Sequence, residues 1–275
     1  MIRFTKMHGL GNDYLYVLGT PNEDAPALSR VLSDRHRGVG SDGMIWITPP
    51  ADPSADFGMR IFNADGSEAM MCGNGIRCVG KYVYDHCLTK KTDLVIETPA
   101  GNRRLILHPS PDDTSVIASV TVDMQKATVG EKLALDIDGQ MLTAIPVSVG
   151  NPHAVVFVQN AEHFPMEQLG KLSVHPYFPD GINAECAEIL SPQVIRMRVW
   201  ERGSGITMAC GTGACAVCAA AVRCGLVSPD VPITVRLDGG ELCVIVRQDG
   251  SILMTGEART VCEGTAALDS ATRNS

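Results

Sequence analysis

Two short segments concentrate the residues able to do chemistry: Met71–Cys78 (MCGNGIRC) and Ala209–Cys215 (ACGTGAC). Each reads Cys-Gly-x-Gly, followed by small and apolar residues at helical spacing. A cysteine at the start of a helix meets N–H groups that have no intrahelical partner, together with about half a unit of positive charge from the macrodipole. Both favour the thiolate over a thiol that ordinarily ionises near pH ~8.5. The glycines at 73, 75, 211 and 213 let a ligand approach the backbone closely, and a carboxylate suits those N–H groups. Two such sulfurs, Cys72 and Cys210, one ionised and one protonated, can remove a proton from one face of a carbon and return one to the other. The pair would titrate as a coupled system. A lone cysteine before a glycine is more often an inert packing residue. Two at matched positions point to paired acid–base work.

The match extends along the chain. Cys72 and Cys210 are 138 residues apart. Upstream, Gly11–Val17 (GNDYLYV) parallels Gly150–Val156 (GNPHAVV), with Asn12 and Asn151 139 apart. Downstream, Leu94–Leu107 and Ile233–Ile245 each read as strand, glycine turn and strand, with Gly101 and Gly239 138 apart. Three landmarks in one order at nearly one spacing indicate a duplicated domain rather than a solenoid, which needs several short units. Each half is strand-rich with one helix, expected over 73–86 and 211–223, the second stopped by Gly225. Strands are expected at 93–98, 116–122, 144–149, 154–158, 194–200 and 242–247. The fold class is therefore α+β, two pseudo-symmetric halves, each a barrel-like sheet around a central helix, with the active site in the cleft between them. Asp112–Ser115 is expected to join the halves, and the small, polar tail beyond about Ala266 to fray.

Composition narrows the function classes. The chain has 275 residues, 45% hydrophobic and 20% charged, enough for packed cores. The formal charge is −8 and no basic run exceeds three residues, which argues against nucleic acid as a partner. Neither a signal-like start nor a run long enough for a membrane span is found. Ten cysteines without an export signal suggest a reducing cytoplasm and free thiols rather than a disulfide scaffold. Cys215-Ala-Val-Cys218 spells C-x-x-C, but it lies mid-helix without a second pair of ligands, so a metal or redox module is disfavoured and no metal is expected. Cys78, Cys215 and Cys218 fall on the core face of their helices. Gly211–Ala216 fits the outline of a dinucleotide fingerprint, yet no buried parallel strand precedes it.

Taken together, Gly9–Tyr14 (GLGNDY), Phe62–Cys78 (FNADGSEAMMCGNGIRC), Gly150–His153 (GNPH), Trp200–Gly205 (WERGSG) and Ala209–Ala216 (ACGTGACA) resemble the diaminopimelate epimerase family, over roughly residues 3–264. In outline the chain also resembles the wider superfamily of proline racemases, hydroxyproline epimerases and phenazine-type isomerases. The resemblance implies interconversion of L,L- and meso-diaminopimelate, on the route to lysine and peptidoglycan, without pyridoxal phosphate or any other cofactor. It implies Cys72 and Cys210 as the two catalytic bases, with His153 beside Cys72 and Glu201 beside Cys210 to help each thiol ionise. Substrate contacts carry over to Asn12, Asn63, Asn74, Asn151, Asn183, Arg202 and Thr212. Gly73, Asn74, Gly211 and Thr212 would offer backbone N–H groups to the reacting carboxylate. Asn63, Asn151, Asn183 and Arg202 would hold the distal end, where arginine can grip a carboxylate bidentately. The family further implies a homodimer with a small amino acid as its partner. The halves are expected at 1–117 and 118–262, with 263–275 crossing back to the first. The chain departs from the usual pattern at Gly43, where Gln is frequent, and at Ile206-Thr207-Met208, where Glu-Thr-Gln is frequent. Those departures leave open a related racemase for histidine or a hydroxyproline.

Overall fold

The computed structural model describes residues 1–267, so the frayed tail expected past Ala266 falls, from residue 268 on, outside the described residues. The chain divides into two compact units, residues 1–122 with the C-terminal segment from Gly256, and residues 123–255.

The first unit runs β1 (Ile2–Gly9), β2 (Asn12–Leu18), α1 (Ala25–Ser33), β3 (Gly43–Thr48), β4 (Phe57–Asn63), β5 (Glu68–Ala69), α2 (Gly73–Asp85), β6 (Asp93–Glu97), β7 (Arg103–Pro109) and β8 (Ile117–Lys126). Neighbours pair antiparallel except β2–β3 and β4–β6, which are parallel. The second unit runs β9 (Thr128–Val129), β10 (Leu133–Ile137), β11 (Gln140–Ser148), β12 (Pro152–Phe157), α3 (Met166–Ser173), β13 (Asn183–Ser191), β14 (Val194–Glu201), β15 (Gly205–Ile206), α4 (Gly211–Arg223), β16 (Ile233–Leu237), β17 (Gly240–Val246) and β18 (Ser251–Glu257). Its two parallel pairs are β12–β13 and β14–β16. Strand for strand, β11 to β18 repeat the order and directions of β1 to β8, with α3 and α4 where α1 and α2 stand. The duplication read from three motifs therefore holds for the whole topology.

Each central helix is enclosed by its own sheet. α2 packs on β1, β2 and β7, strands from both ends of the sheet order, and α4 packs on β11 to β14 and β17. Close wrapping needs small helix residues. A Cβ on Gly80 would lie 2.8 Å from Leu107 Cδ2, and α4 is built largely from Ala, Gly and Cys, buried along most of its length. Both helices end in the same way. Gly225 takes φ +70, its N–H reaches the Val222 carbonyl, and Leu226 N–H reaches Ala221, a Schellman stop. In α2 the left-handed position is Cys87, φ +57, with Leu88 N–H on Val83.

Three sequence expectations are corrected. Asp112–Ser115 does not join the halves. It lies in the turn between β7 and β8, inside the first unit, because the hydrophobic pattern resumes in β8 as a hairpin partner of β7. The units divide within β8, at 122/123 rather than 117/118, and the returning segment starts at Gly256 rather than residue 263. That segment carries β19 (Arg259–Ala266), antiparallel to β1.

Gly43, one of the departures, has a packing reason. It pairs with Asn63 across β3 and β4, and a Cβ there would lie 2.3 Å from the Phe62 carbonyl oxygen. Backbone cannot yield as a flexible side chain would. Gly43→Gln is expected to destabilise the protein by about 1–3 kcal/mol or more, as overpacking does, read as a lower urea midpoint at unchanged slope.

Candidate active site

In the first unit, Cys72 is the N-cap of α2, in extended backbone conformation (φ −137, ψ 116), and its Sγ accepts the Gly75 N–H at 3.3 Å. Here the sulfur takes the part that a serine or aspartate oxygen usually plays. Asn12, at the start of β2, lies beside it: Cys72 Sγ donates to Asn12 Oδ1 at 3.5 Å, and Asn74 Nδ2 donates to the same oxygen at 3.4 Å. The amide is held in this sense because Asn12 Nδ2 donates to Asp42 Oδ2 at 2.8 Å. Asp42 is itself fixed by the Asp13 N–H and by Arg35. Arg77, fully buried, bonds Asn74 Oδ1 at 3.0 Å, the Gly73 carbonyl and the Glu257 carbonyl, and so fixes the first turn of α2. The structure thus brings Asn12, Cys72, Gly73 and Asn74 together. Asn63 instead closes the turn after β4, its Nδ2 on Ser67 Oγ at 3.0 Å.

The second unit repeats the cap. Cys210 (φ −122, ψ 108) accepts the Gly213 N–H at 3.3 Å and lies 3.5 Å from Thr212 Oγ1. Asn151 Nδ2 donates to Thr212 Oγ1 at 3.3 Å. His153, on β12, is fully buried, with Nδ1 2.6 Å from Glu185 Oε1 and Nε2 3.1 Å from Asn151 Oδ1. Glu201, at the end of β14, accepts from Thr207 Oγ1. Burial pushes its carboxyl up; the Thr207 bond opposes this, Glu185 reinforces it, and the Cys210 hydrogen bond and His153 oppose it. Burial, followed by the charges of Glu201 and Glu185, raises the Cys210 thiol well above its ordinary value, against the pull of Thr212 and the Gly213 N–H. Asn183 and Arg202 form a separate group: Asn183 Oδ1 accepts the Arg202 N–H at 2.9 Å, Asn183 Nδ2 reaches the Pro152 carbonyl, and the exposed guanidinium bonds the Asp180 carbonyl. The structure leaves Asn183 holding backbone with both ends of its amide.

Sequence reading missed Glu185, Asp42 and Arg77. The signal for Glu185 was a carboxylate inside Asn183–Ala187, a run buried at every position. Such a charge in a core strand needs a partner, and the partner is His153.

The geometry agrees with the comparisons. A family model described as diaminopimelate epimerase matches residues 4–129 and 145–261. The chain belongs to the diaminopimelate epimerase family. It is 46% identical to the diaminopimelate epimerase of Phocaeicola vulgatus, over 96% of this chain and 97% of that one. It is 45% identical to that of Methanococcus maripaludis (96% and 99%) and 44% identical to that of Acetivibrio thermocellus (98% and 99%). Among solved structures, a probable proline racemase from Agrobacterium radiobacter matches with TM-score 0.78 at 18% identity, over 99% of this chain and 96% of that one. A hydroxyproline epimerase from Agrobacterium vitis matches with TM-score 0.74 at 19% identity, over 99% and 94%. These place the fold among the racemase-like α+β proteins.

The remaining thiols separate by environment. Cys78, Cys186, Cys215 and Cys218 are buried, and burial pushes Cys78 and Cys186 up to about 11. Iodoacetamide at mildly alkaline pH is therefore expected to label the exposed Cys87 and Cys262 first and to spare those four. Peptide mass spectra report the order.

Asp13 gives a pH dependence. Burial alone would raise its carboxyl, but hydrogen bonds and charge from Arg35 and Lys6 hold it below the ordinary range. A lowered value means the stabilisation is present above the unfolded-state pKa, about 3.9, and is lost as pH falls through the folded one. Asp13→Asn should flatten the fall in stability between about pH 5 and 2, followed by urea titration at each pH.

Proposed function

We propose that this protein is a diaminopimelate epimerase that interconverts the L,L and meso forms by two-base proton transfer between Cys72 and Cys210. The observation that carries the reading is the equivalence of the two cysteines, each the N-cap of the same helix in its repeat and each accepting the third residue's N–H. In one direction a thiolate takes the α-proton, the carbanion carries its charge into the carboxylate, and the other thiol gives its proton to the opposite face. The thiolate and thiol have then exchanged places. N–H groups of the first helical turns, at Gly73, Asn74, Gly211 and Thr212, suit the carboxylate whose charge grows in the transition state. Glu201 assists Cys210, and His153 is a supporting residue of the set. Asn63, Asn183 and Arg202 are proposed to recognise the distal amino-acid end, Arg202 with its exposed guanidinium. Full-length relatives that carry this enzyme name favour diaminopimelate over histidine or a hydroxyproline as substrate. A homodimer in the cytoplasm, serving lysine and peptidoglycan synthesis, is part of the same proposal.

The test uses L,L-diaminopimelate in deuterated water with no added cofactor. The meso product should appear with deuterium at the inverted α-carbon. Cys72→Ser and Cys210→Ser should each lose at least ~10³-fold in kcat, since a hydroxyl is a far weaker base than a thiolate. Full activity in either variant would sink the two-base reading.

A further inference from the structure

The repeat departs from symmetry at two neighbouring positions. Leu15 pairs with Met44 in the first unit as Ala154 pairs with Ala184 in the second. By that register, Tyr14 stands where the second unit has His153, and Ile45 where it has Glu185. Both Ile45 and Glu185 lie under the first turn of their helix. A Cβ on Gly75 would lie 2.5 Å from Ile45 Cδ1, and one on Gly213 would lie 2.8 Å from Glu185 Oε1. The fold is thus satisfied by an aliphatic side chain at this place. The second unit carries a fully buried carboxylate there instead, and Glu185 Oε2 has no hydrogen-bond partner among the described residues. A buried carboxylate with one oxygen unused is costly, so packing does not account for it.

We propose that Glu185 is a positioning residue that holds His153 with both ring nitrogens donating and so aligns a one-way chain of donors, through Asn151 and Thr212, onto the sulfur of Cys210. Each link follows from the acceptor it faces. His153 Nδ1 faces the Glu185 carboxylate at 2.6 Å and Nε2 faces Asn151 Oδ1 at 3.1 Å, an acceptor at each end and so the surroundings of a ring that donates through both nitrogens. With its oxygen engaged, Asn151 points Nδ2 at Thr212 Oγ1, 3.3 Å away. That hydroxyl, already accepting, turns its own hydrogen toward Cys210 Sγ at 3.5 Å. Bonds in such a chain polarise one another. The chain, with the Gly213 N–H, opposes the burial and the carboxylate charges that hold Cys210 protonated. The first unit shows that a neighbouring carboxylate sets the sense of the amide. Asn12, equivalent to Asn151, gives Nδ2 to Asp42 and turns its oxygen to Cys72. The two equivalent asparagines therefore face their cysteines in opposite senses, one accepting and the other relaying a donor.

The experiment follows His153 in protein labelled with ¹⁵N-histidine, free of substrate, and epimerisation kinetics in parallel. The kinetic arm alone rests on the proposed function. In the natural protein both His153 nitrogens should show protonated-type shifts at neutral pH. In Glu185→Gln one nitrogen should become unprotonated, and kcat should fall roughly tenfold or more, as when an outer-shell partner of a reactive imidazole is removed, with KM little changed. Glu185→Asp should recover part of both. In a double-mutant cycle, Glu185→Gln and Thr212→Val should cost less together than the product of their separate losses, as links of one chain do. A bare Nδ1 in the natural protein, an unchanged kcat in Glu185→Gln, or losses that simply multiply would each overturn the proposal. A protein that shows the expected His153 signals and their loss in Glu185→Gln, yet never turns over diaminopimelate, would count against the substrate reading and not against the His153–Glu185 pair.

Discussion

The bond between a cysteine sulfur and the N–H three residues on, at the start of a helix, is the constraint around which each unit is built. Cys72 and Cys210 cap their helices from extended backbone, and each accepts the N–H of a glycine in the first turn, Gly75 or Gly213. A Cβ at either position would meet a side chain from the strand beneath, Ile45 Cδ1 at 2.5 Å or Glu185 Oε1 at 2.8 Å. The helix must then sit close inside its sheet, which explains the small residues of α4 and Gly80 of α2. Around a sulfur so placed, the strand that begins at Asn12 or runs past Asn151 supplies the amide, and its neighbour supplies the carboxylate that orients it.

Duplication provides two such frames, but the side chains within them have diverged. The first unit surrounds its cysteine with amides, the buried Arg77 and a charge network of Lys6, Asp13, Arg35 and Asp42. The second surrounds its cysteine with Glu201, Glu185 and His153, three titratable groups that act on one another. A reaction that must run in both directions needs two bases but not two identical environments.

Much of this was legible from the chain alone. Cysteine before Gly-x-Gly, found twice at one spacing, located both caps, and helix 211–223 was read to its last residue because Gly225 marks its end. The end of α2 was less legible, since Cys87 fills the left-handed position and no local rule singles out a cysteine for it. α1 and α3 were not read at all. Each is short and half-covered, with its apolar face defined only by the strands it meets. Asp112–Ser115 misled because polar, turn-forming residues mark any surface loop, whether it joins two strands or two domains.

Sequence by itself determined the family, the repeat and the two cysteines that cap the matched helices, because these depend on residue type at fixed local spacing. Tertiary structure decided what surrounds each sulfur. Glu185 reaches His153 across 32 positions of sequence and Asp42 reaches Asn12 across 30, in both cases because parallel strand pairing sets side chains of distant segments side by side. Pairing register is a property of the whole sheet, fixed by which faces are buried, and no local pattern in the chain encodes it.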